Sequence, residues 1–180
     1  MSEAISNSGF ARALIQYGAE IMVSTKKQAP AYPNDAGFCA LSTGEMLFHS
    51  KKVCELSIMN FYGNRFIHTN QGYAKCAVCL LNTKAAICAD SGLAAALVQA
   101  GFDVLKIPSG GIVLSGYNEG FIGGASVKIA PDKLAFTGVF KNEQTKLIIE
   151  KFLRRHNITP IYLTDKEIFD IGSIIPIIEK

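Results

Sequence analysis

The feature that most constrains this chain is an internal repeat, and a repeat is read before any motif. Four segments share one pattern, in which a helix-closing Gly or Asn is followed at once by an apolar run. They begin at Gly18 (Gly-Ala-Glu-Ile-Met-Val-Ser-Thr), Gly63 (Gly-Asn-Arg-Phe-Ile-His-Thr), Gly101 (Gly-Phe-Asp-Val-Leu-Lys-Ile) and Asn157 (Asn-Ile-Thr-Pro-Ile-Tyr-Leu-Thr). Gly and Asn tolerate the left-handed backbone that ends a helix. The runs after them are rich in β-branched and apolar residues, as strands are. Upstream of the caps lie helical stripes: Phe10, Leu14, Tyr17 and Ile21, then Leu93, Ala96, Leu97 and Ala100, then Leu147, Ile148 and Phe152. The stretch Val53 to Phe61 is the weakest of the four, diluted by Ser57 and Asn60.

A second landmark falls between the helices. Gly37-Phe38, Gly72-Tyr73, Gly120-Phe121 and Gly172-Ser173 each introduce an apolar strand. Turn signals then lead into a second strand after the first three, at Thr43-Gly44, Asn82-Thr83-Lys84 and Pro131-Asp132-Lys133. The repeating unit is therefore strand, turn, strand, helix, cap, strand. Full copies span about 36–70, 71–108 and 119–164, and one further unit is split between 7–24 and 171–178. The whole chain, 1–180, reads as a single α/β domain of ββαβ units. A unit shared between the two ends suits a closed ring, because an open solenoid needs polar caps and Ile174-Ile175-Pro176-Ile177-Ile178 makes a poor one. The competing arrangement is one open mixed sheet with helices on one face.

Composition narrows the functional classes. Apolar residues make up 49% and charged residues 18%, which suits a folded core. The net charge of +3 is spread thinly, with no basic run longer than Lys26-Lys27, Lys51-Lys52 or Arg154-Arg155. Neither a nucleic-acid partner nor a membrane surface is indicated. Glu3, Ser6, Asn7 and Ser8 stand where a secretory signal would place its apolar region, and no apolar run is long enough to span a bilayer. Five cysteines, an odd number, read as free thiols in a cytoplasmic protein. Cys76 and Cys79 are spaced C-x-x-C but lie in a strand-like run, where residues three apart point to opposite faces. They read as buried structural thiols rather than metal ligands or a redox pair. Neither Ser109-Gly110-Gly111 nor Gly120 to Gly124 leads into a helix as a phosphate loop does, so no nucleotide cofactor is expected. These glycines instead suit close backbone approach.

Equivalent positions of rotationally related units would face one axis. Just before the landmark glycines stand Asp35, Gln71, Glu119 and Asp170. Carboxylates and amides so placed would receive a small planar cation through paired N–H···O bonds, although they are also ordinary turn formers. Lys75, alternating with Tyr73 on a strand, is a candidate partner for a substrate carboxylate. His68 is the candidate general base and Ser173 the candidate hydroxyl, with no evident base beside it. His49 and His156 read as surface residues at a hairpin end and a helix end.

Three stretches carry a resemblance: Asn70-Gln-Gly-Tyr-Ala-Lys-Cys76, Gly116-Tyr-Asn-Glu-Gly-Phe-Ile-Gly-Gly-Ala-Ser126 and Asp170-Ile-Gly-Ser-Ile-Ile-Pro176. Over about 65–180 the chain resembles an uncharacterised bacterial family with the pentein fold, the ring of ββαβ units found in guanidino-group-modifying enzymes. The resemblance implies a pentein-like α/β propeller and a hydrolase or transferase of guanidino or amidino compounds acting in a central channel. Five units of ~45 residues would need about 225, so the ring is short by about one unit and would leave strand edges open to pairing between copies. Those enzymes also resemble one another in a nucleophilic Cys near the C-terminus, a few residues before a Pro. Here Asp170 to Pro176 holds none, and the last cysteine is Cys88. That absence leaves a second class open, a non-catalytic binding module with a protein or ribosomal partner.

Overall fold

The computed structural model describes residues 8–24 and 29–174. Its elements in chain order are α1 (Gly9–Gln16), β1 (Leu41–Ser42), β2 (Leu47–His49), α2 (Leu56–Tyr62), β3 (Phe66–His68), α3 (Ala74–Ala77), β4 (Val78–Asn82), β5 (Ala85–Cys88), α4 (Ser91–Gln99), β6 (Asp103–Lys106), β7 (Ser126–Ala130), β8 (Lys133–Phe136), α5 (Glu143–Arg155) and β9 (Thr159–Tyr162).

The strands form three separate three-stranded sheets, β1-β2-β3, β4-β5-β6 and β7-β8-β9, rather than one continuous sheet. Each is built alike. The first two strands are an antiparallel hairpin, and the third returns through a helix to pair parallel with the second. A ββαβ unit thus occurs three times, at the positions the repeat predicts. Even an irregularity recurs: β4 shifts register between Leu80 and Asn82, and β7 between Lys128 and Ala130.

Local chemistry explains the boundaries. Asp90 and Asn142 accept the amides of Leu93 and Thr145 and so start α4 and α5. The caps Gly18, Gly63, Gly101 and Asn157 all have positive φ, between 53° and 86°. In Asn157, at 56°, the side chain accepts a conformation that most residues avoid.

Two apolar cores lie between neighbouring units. Phe48 of the first unit packs with Val78, Cys88, Leu93 and Leu97 of the second. Cys79, Leu81 and Ile87 of the second pack with Leu134, Phe136 and Ile149 of the third. Successive residues of β5 alternate between these cores, so this central strand is buried on both faces, which is why it is continuously apolar.

Several expectations are corrected. Residues 19–23 carry no strand, although they follow a cap as the other runs do; a β-branched run becomes a strand only through pairing and packing. The landmark glycines do not open strands directly. Gly72 leads into the helical turn α3, and β4 starts only at Val78. Tyr73, Lys75 and Cys76 therefore lie on a turn, not on alternating faces of a strand. His49 is fully buried, with its ring nitrogens 3.1 Å from the carbonyl oxygens of Ser50 and Ala36. It sits at the end of the central strand of its sheet, where the backbones of Ala36 and Gly72 close over the ring. Residues 175–178 of the split unit lie outside the described residues. No helix among the described residues is long and apolar enough to cross a membrane.

Candidate functional site

The segments around the landmark glycines are joined by one backbone pattern. Lys75 N–H donates to Cys39 O (2.9 Å), Gly123 N–H to Cys76 O (2.7 Å) and Ile171 N–H to Gly124 O (3.1 Å). Each unit is thus stitched to the next at an equivalent place. The approach is close enough to require glycine. A Cβ on Gly123 would lie 2.2 Å from the carbonyl oxygen of Val78, and one on Gly124 would lie 1.9 Å from Asp170 Oδ1.

This junction gathers four of the predicted residues. Asp35 Oδ2 accepts the Tyr73 hydroxyl at 2.7 Å, while its Oδ1 is enclosed and has no hydrogen-bond partner among the described residues. Burial and the Asp35 carboxylate both push the Tyr73 hydroxyl above its ordinary pKa, so it stays a donor. Asp170 accepts the amides of Phe121 (2.8 Å) and Gly172 (2.7 Å). Lys75 Nζ donates to Gly123 O (3.3 Å) and to Ser173 Oγ (2.7 Å). Ser173 turns its own proton to Gly172 O at 2.5 Å. In this arrangement Lys75 is a donor to Ser173 rather than an acceptor of its proton.

The junction also holds two residues that the sequence reading set aside. Cys39 and Cys76 are half-buried neighbours, and a hydrogen-bonding interaction between the thiols shifts the pKa of each. That interaction lowers the Cys39 thiol to about 7, helped by the Lys75 ammonium and opposed by burial and Asp35. The same interaction, with burial, pushes Cys76 well above the thiol range. The first proton of the pair leaves Cys39 and the second is held by Cys76. Of the pair read as buried structural thiols, Cys79 is buried and Cys76 is only half-buried; Cys54 and Cys88 are buried as well. Cys39 and Cys76 each stand two residues before the first strand of their unit, an equivalence that the C-x-x-C spacing hides.

The other predicted residues fall elsewhere. Gln71 and Glu119 line a cavity of about 470 Å³ between the second and third units. Gln71 joins it to the junction, its Oε1 accepting Tyr73 N–H (2.9 Å) and its Nε2 donating to Asp90 Oδ2 (3.1 Å). Asp35 and Asp170 do not line this cavity, so the four polar residues divide between two adjoining places. The polar lining consists of Gln71, Asp90, Ser109, Glu119, Asn142 and Thr145, without a Lys, Arg or His. Phe121 and Phe140 form part of the apolar wall. Asp90 and Asn142, which start α4 and α5, were not named from the sequence as candidate site residues. His68 is exposed on β3, where its Nδ1 accepts Lys51 N–H at 3.2 Å, and no described hydrogen bond links it to Lys75 or Ser173.

Fold and site together define a mixed α/β protein of repeated ββαβ units, with a polar-lined cavity between two of them and a thiol-bearing junction beside it. The chain matches a protein family of unknown function (DUF6873) over residues 2–175, and it belongs to that family. No curated protein and no solved structure matches it.

Proposed function

We propose that the ββαβ units form a pentein-like ring, short by about one unit in this chain, and that the chain binds a small guanidino or amidino compound between its second and third units. One observation carries this reading: the cavity offers two carboxylates and two amides with no cationic side chain. An anion would meet Glu119 and Asp90 without a counter-charge. A planar cation would instead find carboxylate and amide oxygens for its N–H groups and the Phe121 ring for its face. The Asp35 Oδ1 left without a partner adds an unmet acceptor close to the same network. A ligand lacking its own carboxylate suits this lining better than an amino acid, so agmatine should bind more tightly than arginine.

A thermal-shift screen with agmatine, arginine and creatine, followed by product analysis, tests the reading. Stabilisation by agmatine exceeding that by arginine supports it, and released urea or ammonia would make the site hydrolytic. If none of the three raises Tm at millimolar concentration, the proposal fails.

A further inference from the structure

Cys39 and Cys76 take part in nothing proposed for the cavity, since neither lines it. Yet they are placed together by the architecture. They are the residues whose carbonyls accept the successive inter-unit amides of Lys75 and Gly123, so each marks the same point of its own unit. The backbone bond from Lys75 N–H to Cys39 O sets Cys76 beside Cys39, and each thiol shifts the pKa of the other. Cys76 Sγ is also 3.4 Å from Gly172 O, and Cys39 Sγ 4.0 Å from Asp35 O. The Lys75 ammonium stands beside the pair and is anchored by Gly123 O and Ser173 Oγ. Both thiols are half-buried, whereas Cys54, Cys79 and Cys88 are buried.

We propose that Cys39 and Cys76 form a peroxide-reactive dithiol, Cys39 being the sulfur that is oxidised first and Cys76 the one that closes a disulfide between the first and second units. In the first step the Cys39 thiolate attacks one oxygen of a hydroperoxide. The O–O bond breaks, the departing oxygen leaves as hydroxide or alkoxide and takes up a proton, and Cys39 becomes a sulfenic acid. In the second step the Cys76 sulfur attacks the Cys39 sulfur. The S–O bond breaks, and hydroxide leaves with the Cys76 proton as water. The dithiol loses two electrons in all and the peroxide gains them. A small thiol reductant reverses the change.

The division of labour follows from the environment. Cys39 is ionised near neutral pH, at about 7, and Cys76 is the donor that holds it so. Only a thiolate attacks peroxide at a useful rate. With Lys75 N–H bonded to Cys39 O, the two cysteines stand on adjoining backbone, and side-chain rotation with backbone adjustment would bring the sulfurs to the ~2.05 Å of a disulfide.

The test is peptide mapping by mass spectrometry of the full chain at neutral pH, after treatment with equimolar hydrogen peroxide. The expected product is a Cys39–Cys76 cross-link, formed while Cys54, Cys79 and Cys88 remain thiols and reversed by dithiothreitol. In Cys76→Ser the sulfenic acid should persist on Cys39 and be trapped by dimedone, and alkylation of Cys39 should require a pH well above the value near 7 expected of the wild type. The wild-type map needs no variant to fold. If Cys39 and Cys76 oxidise no faster than the buried cysteines, or if Cys39 links to another cysteine, the proposal is overturned.

Discussion

Asp170 shows how much one side chain can organise. It accepts two amides, from Phe121 and Gly172, and it occupies the space that side chains at Gly120 and Gly124 would need. Gly123 is the less forgiving position, because the atoms it would meet are the backbone carbonyl oxygens of Lys75, Cys76 and Val78, which cannot swing aside. Gly123→Ala should cost about 1–3 kcal/mol or more by overpacking. Gly111→Ala, with nothing within 4 Å, should stay within ~0.5 kcal/mol of wild type. Urea denaturation of the two variants checks the contrast. His49 gives a pH prediction. Burial holds its pKa below the ordinary 6.5, outweighing the carbonyls that would favour the cation. Protonation then favours the unfolded chain, so its contribution is complete above pH 6.5 and is lost as pH falls from there through the lower folded value. Tm should drop on acidification below 6.5, and less steeply in His49→Gln. Neither residue's role was legible beforehand. A glycine-rich run signals close approach without naming what approaches, and a histidine at a strand end is buried only once the backbones of Ala36 and Gly72 meet it.

At the scale of elements the repeat was easiest to read. Caps and turns are local chemistry, so Gly101, Asn157, Asn82 and Asp132 announce their roles without tertiary information. Helix starts are equally local. Asn142→Ala should cost about 1 kcal/mol through loss of the Thr145 amide's acceptor. Asp90→Ala should cost more, since Asp90 also holds Gln71. Thermal melts of both variants measure the difference. Elements that depend on distant partners were misread. The stretch from Tyr73 to Cys76 looks like a strand because it is apolar and precedes one. It winds into a turn, with Ala77 N–H on Tyr73 O while Lys75 N–H reaches across to Cys39. That single change brings the side chains of two successive residues, Lys75 and Cys76, to the same segment, Gly172-Ser173, where strand alternation would have pointed them apart.

For the whole molecule, the decisive property is that each unit meets the next in the same way. The inter-unit amide bond recurs three times, and each of the two apolar cores takes a helix from the later unit and strands from both. Such a joint creates a seam between units, and the cavity lies in the seam between the second and third. Its polar lining comes from helix starts, loops and landmark segments that are far apart in sequence, so only Gln71 and Glu119 could be named in advance. The central claim is that this seam receives a small planar cation. Isothermal titration of agmatine into the wild type and into Glu119→Gln tests it most directly. The account predicts saturable one-site binding that weakens about tenfold, or ~1.4 kcal/mol, when the Glu119 charge is removed. Undetectable binding to the wild type, or an affinity unchanged by Glu119→Gln, would contradict it.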